Sequence, residues 1–124
     1  MTLQQKLKRV GDALVAGFTV TENDVSTVTV PVYHYWRSKK TAPFIVWAED
    51  GEGDNRLQAD DHKAEQSIDG YVDYYTKTEY DTNIDTIQTI LDGITGFPFG
   101  WRLDSVQYEE DTNLIHYQWV WSMA

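Results

Sequence analysis

The hydrophobic pattern is clearest in Trp101–Trp121, where Ile115, Tyr117, Trp119 and Trp121 recur at every second position. A strand sends alternate side chains to opposite faces, so these four predict one apolar, aromatic row. In the first half, Trp101 and Leu103 share one phase and Val106 and Tyr108 the other. The change of phase at Asp104–Ser105 is where one extra, bulged residue would fit. Residues Glu109–Asn113 between the halves are polar and about the length of a longer hairpin loop. The pattern predicts a long β-hairpin that seeds the sheet. Ile115 and Tyr117 are expected to be buried, whereas Trp119 or Trp121, near the chain end, is expected to meet a partner.

The rest of the chain divides by period. Thr2 and Gln5 form a capping box, and Leu3, Leu7, Val10 and Leu14 follow at helical spacing. Gly11 weakens that helix by up to about 1 kcal/mol relative to Ala, and Gly17 predicts its end. Ser26–Trp36 is β-branched and aromatic, with Val28, Val30, Val32 and His34 alternating with Thr29, Tyr33 and Tyr35. Pro31 has no N–H to donate, which predicts an edge strand or a strand entry. Phe44–Trp47 is apolar on both faces, as in a central strand covered on both sides. Residues 49–66 form the longest polar segment, of a length that in compact domains goes with function or mobility. Ser67–Lys77 resumes the alternation, with Tyr71, Asp73 and Tyr75 opposite Val72 and Tyr74. Asp81 or Thr82 caps a second helix with Ile84, Ile87, Ile90 and Leu91 as its stripe and Gly93 beyond its end. The order α-β-β-β-α-β-β predicts one α+β domain over residues 1–124. Its sheet is expected to be five-stranded and largely antiparallel, with both helices packed on one face.

Composition narrows the function. The chain has 124 residues, 41% hydrophobic and 24% charged, which places it in the globular class. Without cysteine it has no disulfide, thiolate metal site or thiol nucleophile. No apolar run approaches a membrane span, and the N-terminal residues lack the apolar core of a signal peptide, so a soluble, unexported protein is expected. The net charge of −10 repels nucleic acid and argues against sequence-specific DNA binding. That charge is unevenly spread. Residues 1–40 carry six basic and three acidic side chains, whereas residues 41–124 carry four and seventeen. The asymmetry fits either a solvated surface or two poles that meet different partners.

Candidate chemistry is sparse. Asp50, Glu52, Asp54 and Asp61 fall at positions one, three, five and twelve of a calcium-loop pattern, but Asn55 replaces its glycine and Asp61 its bidentate glutamate. The acidic loop, with Glu49, Asp50, Glu52, Asp54, Asp60 and Asp61, therefore supports a small ligand- or calcium-binding module only as the second reading. His34, His62 and His116 show no zinc spacing, though His34 and His116 would be close if their strands paired. No nucleophile elbow, P-loop or dinucleotide fingerprint is present, so no catalytic residue, metal or cofactor is expected. The aromatic content is high, with 5 Trp, 8 Tyr and 4 Phe. A domain of this size has little room to bury them all. Tyr33, Tyr35, Tyr74, Tyr75, Trp119 and Trp121 are the candidates to remain on a surface and anchor a protein interface.

The segments APFIVWAEDGEG (42–53), SIDGYVDYYTKTEYD (67–81) and RLDSVQYEEDTNLIHYQWVW (102–121) resemble small proteins of the head–tail joining region of tailed bacteriophages and prophages. Those proteins are similar to tail-completion or tail-terminator proteins. The resemblance covers about two-thirds of the chain and includes no catalytic motif. It implies a non-enzymatic α+β subunit that assembles as a hexameric ring in the virion, formed in the bacterial host cytoplasm. The ring would contact copies of itself, the tail tube protein and the head-completion or connector protein, with no membrane partner.

Overall fold

The computed structural model describes residues 1–36, 41–52 and 67–124. Helix α1 (Leu3–Gly17) opens with the expected capping box: the Gln5 N–H donates to the Thr2 hydroxyl, and the Thr2 N–H donates to the Gln5 side chain. Strands β1 (Thr19–Glu22), β2 (Val25–Val28), β3 (Val32–His34), β4 (Phe44–Glu52) and β5 (Ile68–Thr76) follow. Helix α2 (Asn83–Asp92) and the hairpin β6 (Phe99–Glu109) and β7 (Leu114–Met123) complete the described chain.

The fold is α+β, with a five-stranded sheet in the order β3-β4-β5-β7-β6 and a separate two-stranded ribbon, β1-β2. Three junctions of the larger sheet are antiparallel, but β3 joins β4 in parallel, so the sheet is mixed. The expectation of a largely antiparallel sheet is therefore only partly met, and the one strand expected across Ser26–Trp36 is corrected to two, β2 and β3. The ribbon turns at Asn23 and Asp24, both at positive φ (51° and 65°), the residue types that tolerate a tight hairpin turn. β2 therefore folds back on β1, and a new strand starts after Pro31. Pro31 stands at the sheet edge as its missing donor requires, with its carbonyl accepting the Ile45 N–H at 2.9 Å.

Both helices cover one face of the larger sheet. Leu7, Val10 and Leu14 of α1 and Ile87 and Leu91 of α2 join Ile45, Trp47, Val72, Tyr74, Trp119 and Trp121 in a single buried cluster. Register aligns these sheet residues in rows: Ile45–Tyr74–Tyr117, Trp47–Val72–Trp119, and Gly70–Trp121–Trp101. Close packing here depends on missing side chains. A Cβ on Gly70 would lie 2.1 Å from the Trp121 ring and 2.5 Å from the Ala48 carbonyl. One on Gly11 would lie 2.6 Å from the Trp47 ring, and one on Gly17 would lie 2.2 Å from Ile90 of α2.

The C-terminal hairpin keeps its predicted bulge, with the register shifting between Leu103 and Ser105. Its burial runs opposite to expectation. Trp119 and Trp121 are 0% and 1% exposed, whereas Ile115 and Tyr117 are only half-buried. The cause is topological. β7 lies between β5 and β6, so the end of the chain runs under the helices, and the hairpin tip extends beyond them. The indole N–H of Trp119 donates to the Gln88 side chain at 3.2 Å, while that of Trp121 is buried with no acceptor among the described residues.

Helix α2 starts through Asp81 rather than Thr82, which makes no side-chain cap bond. The Asp81 carboxylate accepts the Asn83 N–H at 2.9 Å, the Tyr74 hydroxyl at 2.6 Å and the Thr76 hydroxyl at 2.7 Å. Burial alone would push this carboxyl up, but the three donors hold it below its ordinary 3.8. At the other end, Gly93 has φ of −87°, so the helix stops without a left-handed cap.

Two outcomes follow for stability. Gly70→Ala should lower unfolding free energy by about 1–3 kcal/mol, because ring and carbonyl must both yield; urea unfolding measures it. Asp81→Ala should cost about 1–3 kcal/mol at neutral pH by stranding buried donors. A lowered folded pKa contributes stability above the unfolded value and loses it as pH falls, so the gap between parent and variant should narrow below pH 3.8.

Candidate functional site

Strand β3 ends after three residues, and the manner of its ending builds a site. His34 pairs beside Trp47 of β4, and the Tyr35 N–H still donates to the Trp47 carbonyl at 2.9 Å. Tyr35 itself has φ of 69°, a left-handed conformation that costs a residue with a Cβ roughly 1–2 kcal/mol. Strand alternation would send Tyr35 to the face opposite His34. The left-handed backbone brings both rings to one side instead. Tyr35 stacks on His34 and His34 on Trp47, each pair with centroids 4.0 Å apart. Such strain persists only where the surroundings hold it, and it concentrates at functional positions.

Glu49 lies two residues past Trp47 on the same face of β4, where β3 no longer runs alongside. Its carboxylate accepts the Tyr35 hydroxyl and the His34 Nε2–H, which lies 3.1 and 3.3 Å from its two oxygens. The bond to Glu49, with burial and the nearby charge adding to it, raises the Tyr35 hydroxyl above its ordinary 10.0. These groups form one wall of a groove of about 570 Å³, and the first half of α1 forms the other. Leu3, Leu7, Trp47 and Ile68 give it an apolar floor. Lys8 and Asp12 stand on the rim, ion-paired at 2.7 Å across one helical turn.

The face of the sheet away from the helices carries a second polar cluster. Asp73 is buried and lies 2.9 Å from His116 Nε2. Tyr75 is sandwiched between Phe44 at 4.7 Å and His116 at 4.2 Å. Burial, followed by the charge of Asp73, pushes the Tyr75 hydroxyl up to about 12. His34 and His116 thus occupy opposite faces, with β4 and β5 between their strands, and do not share a site.

The predicted interface residues separate accordingly. Trp119, Trp121 and Tyr74 are corrected to core positions; Tyr74 is 0% exposed and spends its hydroxyl on Asp81. Tyr33 and Tyr75 are half-buried, and Tyr35, 53% exposed, lies in the groove. Of the acidic loop, Glu49 and the exposed Glu52 line the groove and Asp50 is exposed, while Asp54, Asp60 and Asp61 lie outside the described residues, as does His62. Among the described residues no three His, Asp or Glu side chains group as metal ligands. The coupling of His34, Tyr35 and Glu49 was not foreseen, because it depends on a strand that stops and turns left-handed. The only local hint was a His-Tyr pair closing one strand and a glutamate following Val46–Trp47 in the next.

Among the described residues, exposed large apolar side chains include Met1, Val15, Trp36 and Tyr80 as well as two groups. Leu103, Val106 and Tyr108 of β6 are 42%, 52% and 60% exposed. They pair with Trp119, Tyr117 and Ile115 respectively, and the bulge keeps all three on the helix-side face. The ribbon exposes Val20, Val25 and Val28. No helix among the described residues is long and apolar enough to cross a membrane. Comparison with models of known protein families and with curated proteins finds no match for this chain.

Proposed function

We propose that this protein is a non-enzymatic assembly subunit that associates head-to-tail with copies of itself, as a ring at the head–tail interface of a tailed phage. One observation carries the reading: two unlike apolar surfaces, one on β6 at the edge of the five-stranded sheet and one on the separate β1–β2 ribbon. Strand β6 is an outer edge, and its Leu103, Val106 and Tyr108 lie beyond the cover of the helices. The ribbon leads directly into β3, the other edge, and a two-stranded ribbon alone in water is only marginally stable. Closed rings require two different complementary patches on each subunit, and β6 and the ribbon are the candidates for them. The segregated charge supplies a second asymmetry between potential contact surfaces. The sequence resemblance to tail-completion and tail-terminator proteins supports a position at the head–tail joint, where the tail tube protein and the connector would be the neighbours. The half-buried Tyr33 and Tyr75 are secondary contact candidates.

Native mass spectrometry at rising concentration should detect a closed oligomer. Val106→Asp combined with Tyr108→Ala should weaken association roughly tenfold or more, about 1.4 kcal/mol per decade, while leaving the thermal transition of the subunit nearly unchanged. A protein that stays monomeric both alone and mixed with tube protein overturns the reading.

A further inference from the structure

We infer that the groove between α1 and the β3–β4 edge is a binding site for an organic cation, a guanidinium or ammonium group carried on an aliphatic stem. The inference stands apart from assembly, since the groove involves neither the ribbon nor β6.

Three features of the groove converge on that chemistry. The first is charge. Among the described residues that line the groove, the charged side chains are Lys8, Asp12, Glu49 and Glu52. Lys8 is ion-paired with Asp12, and Glu49 is the carboxylate that stands beside the rings. An anion approaching Glu49 would meet repulsion, whereas a cation would be attracted. The second is the state of Glu49. Its carboxylate is oriented by the Tyr35 hydroxyl and the His34 ring, both bonding mainly to Oε1, and Oε2 receives only the longer contact of 3.3 Å. A carboxylate can take about four hydrogen bonds, so Oε2 retains acceptor capacity for a charged donor. The side chain of Glu49 is 20% exposed, which leaves it reachable but largely shielded from water.

The third feature is aromatic. Tyr35, His34 and Trp47 form a column of three nearly parallel rings, with interplanar angles of 18° and 9°. Trp47 is the buried end and Tyr35 the exposed end. One face of the Tyr35 ring rests on His34, and Tyr35 is 53% exposed, so a ligand can reach the ring. A planar guanidinium lies well against such a face, and an ammonium is attracted to it electrostatically. Leu3, Leu7 and Ile68 then offer an apolar track for the stem. The left-handed backbone at Tyr35 is what places the ring and the carboxylate around one point.

The chemistry is shared by a free amine and by an arginine side chain of another protein, and titration separates the two. Calorimetry should be run at pH 8, above the range in which an ordinary imidazole carries charge, with agmatine, an arginine-centred heptapeptide and succinate as probes. Agmatine is expected to bind saturably, with amide shift changes in a ¹H–¹⁵N spectrum confined to residues around His34, Tyr35, Glu49 and the first half of α1. Glu49→Gln should weaken binding roughly tenfold or more, and Tyr35→Ala should do the same through loss of the ring; each variant is checked for an unchanged fold by its spectrum. Succinate should not bind. A peptide that binds about tenfold more tightly than agmatine assigns the cation to a partner chain, and equal affinities assign it to a small molecule. Absence of saturable binding, undiminished binding by Glu49→Gln, or equal binding of succinate overturns the inference.

Discussion

The packing of this protein depends on rings lying against glycines. Trp121 can lie flat on β5 only because Gly70 presents no side chain beneath it, and α1 can settle on Trp47 only because Gly11 presents none above it. Each contact joins two layers: the first sets one strand against its neighbour, the second sets helix against sheet. Large indoles bury much area and need rigid, matched surfaces to do so. Glycine supplies the match at the cost of local helix and strand propensity. Read from propensity alone, Gly11 is a weak point in α1. In the folded chain it is the point at which α1 touches the sheet, and the small penalty is offset by an indole taken almost entirely out of water.

What was legible in the chain follows from the range of the interactions involved. The capping box at Thr2 and Gln5, the stripes of both helices, the alternation of Ile68–Thr76 and the bulge near Asp104 were all readable. Each is set by residues a few positions apart. The parallel pairing of β3 with β4 was not readable, because it depends on how distant segments meet. The ribbon at Thr19–Val28 was missed for a different reason. Its strands are rich in threonine and nowhere deeply buried, so they lack the apolar rhythm that marks a strand against a core. Proximity to the chain end suggested exposure for Trp119 and Trp121, but burial is decided by position in the sheet, and β7 is an inner strand.

The groove illustrates the same limit at a finer scale. His34, Tyr35 and Glu49 are ordinary residues in ordinary surroundings as far as sequence shows. A single backbone angle at Tyr35 turns two adjacent aromatics onto one face, where both bond one carboxylate. The opposite face of the sheet solves a related problem without strain. Phe44, Tyr75 and His116 sit on neighbouring strands in register, and ordinary pairing stacks them. Two aromatic ladders thus arise on one sheet, one from regular geometry and one from its interruption.

The brevity of β3 has a consequence for motion. It pairs over three residues, whereas β5 pairs with β7 over nine and β6 with β7 over ten. Backbone hydrogen bonds at a short edge open more readily than those inside a long ladder. The wall formed by His34 and Tyr35 can therefore separate from β4 while β5, β7 and β6 remain intact. In hydrogen-exchange terms, the amides of 32–35 form the fast-exchanging margin of a slowly exchanging sheet. Any occupant that bridges Tyr35 and Glu49 would clamp that margin shut, converting a labile edge of the sheet into a protected one.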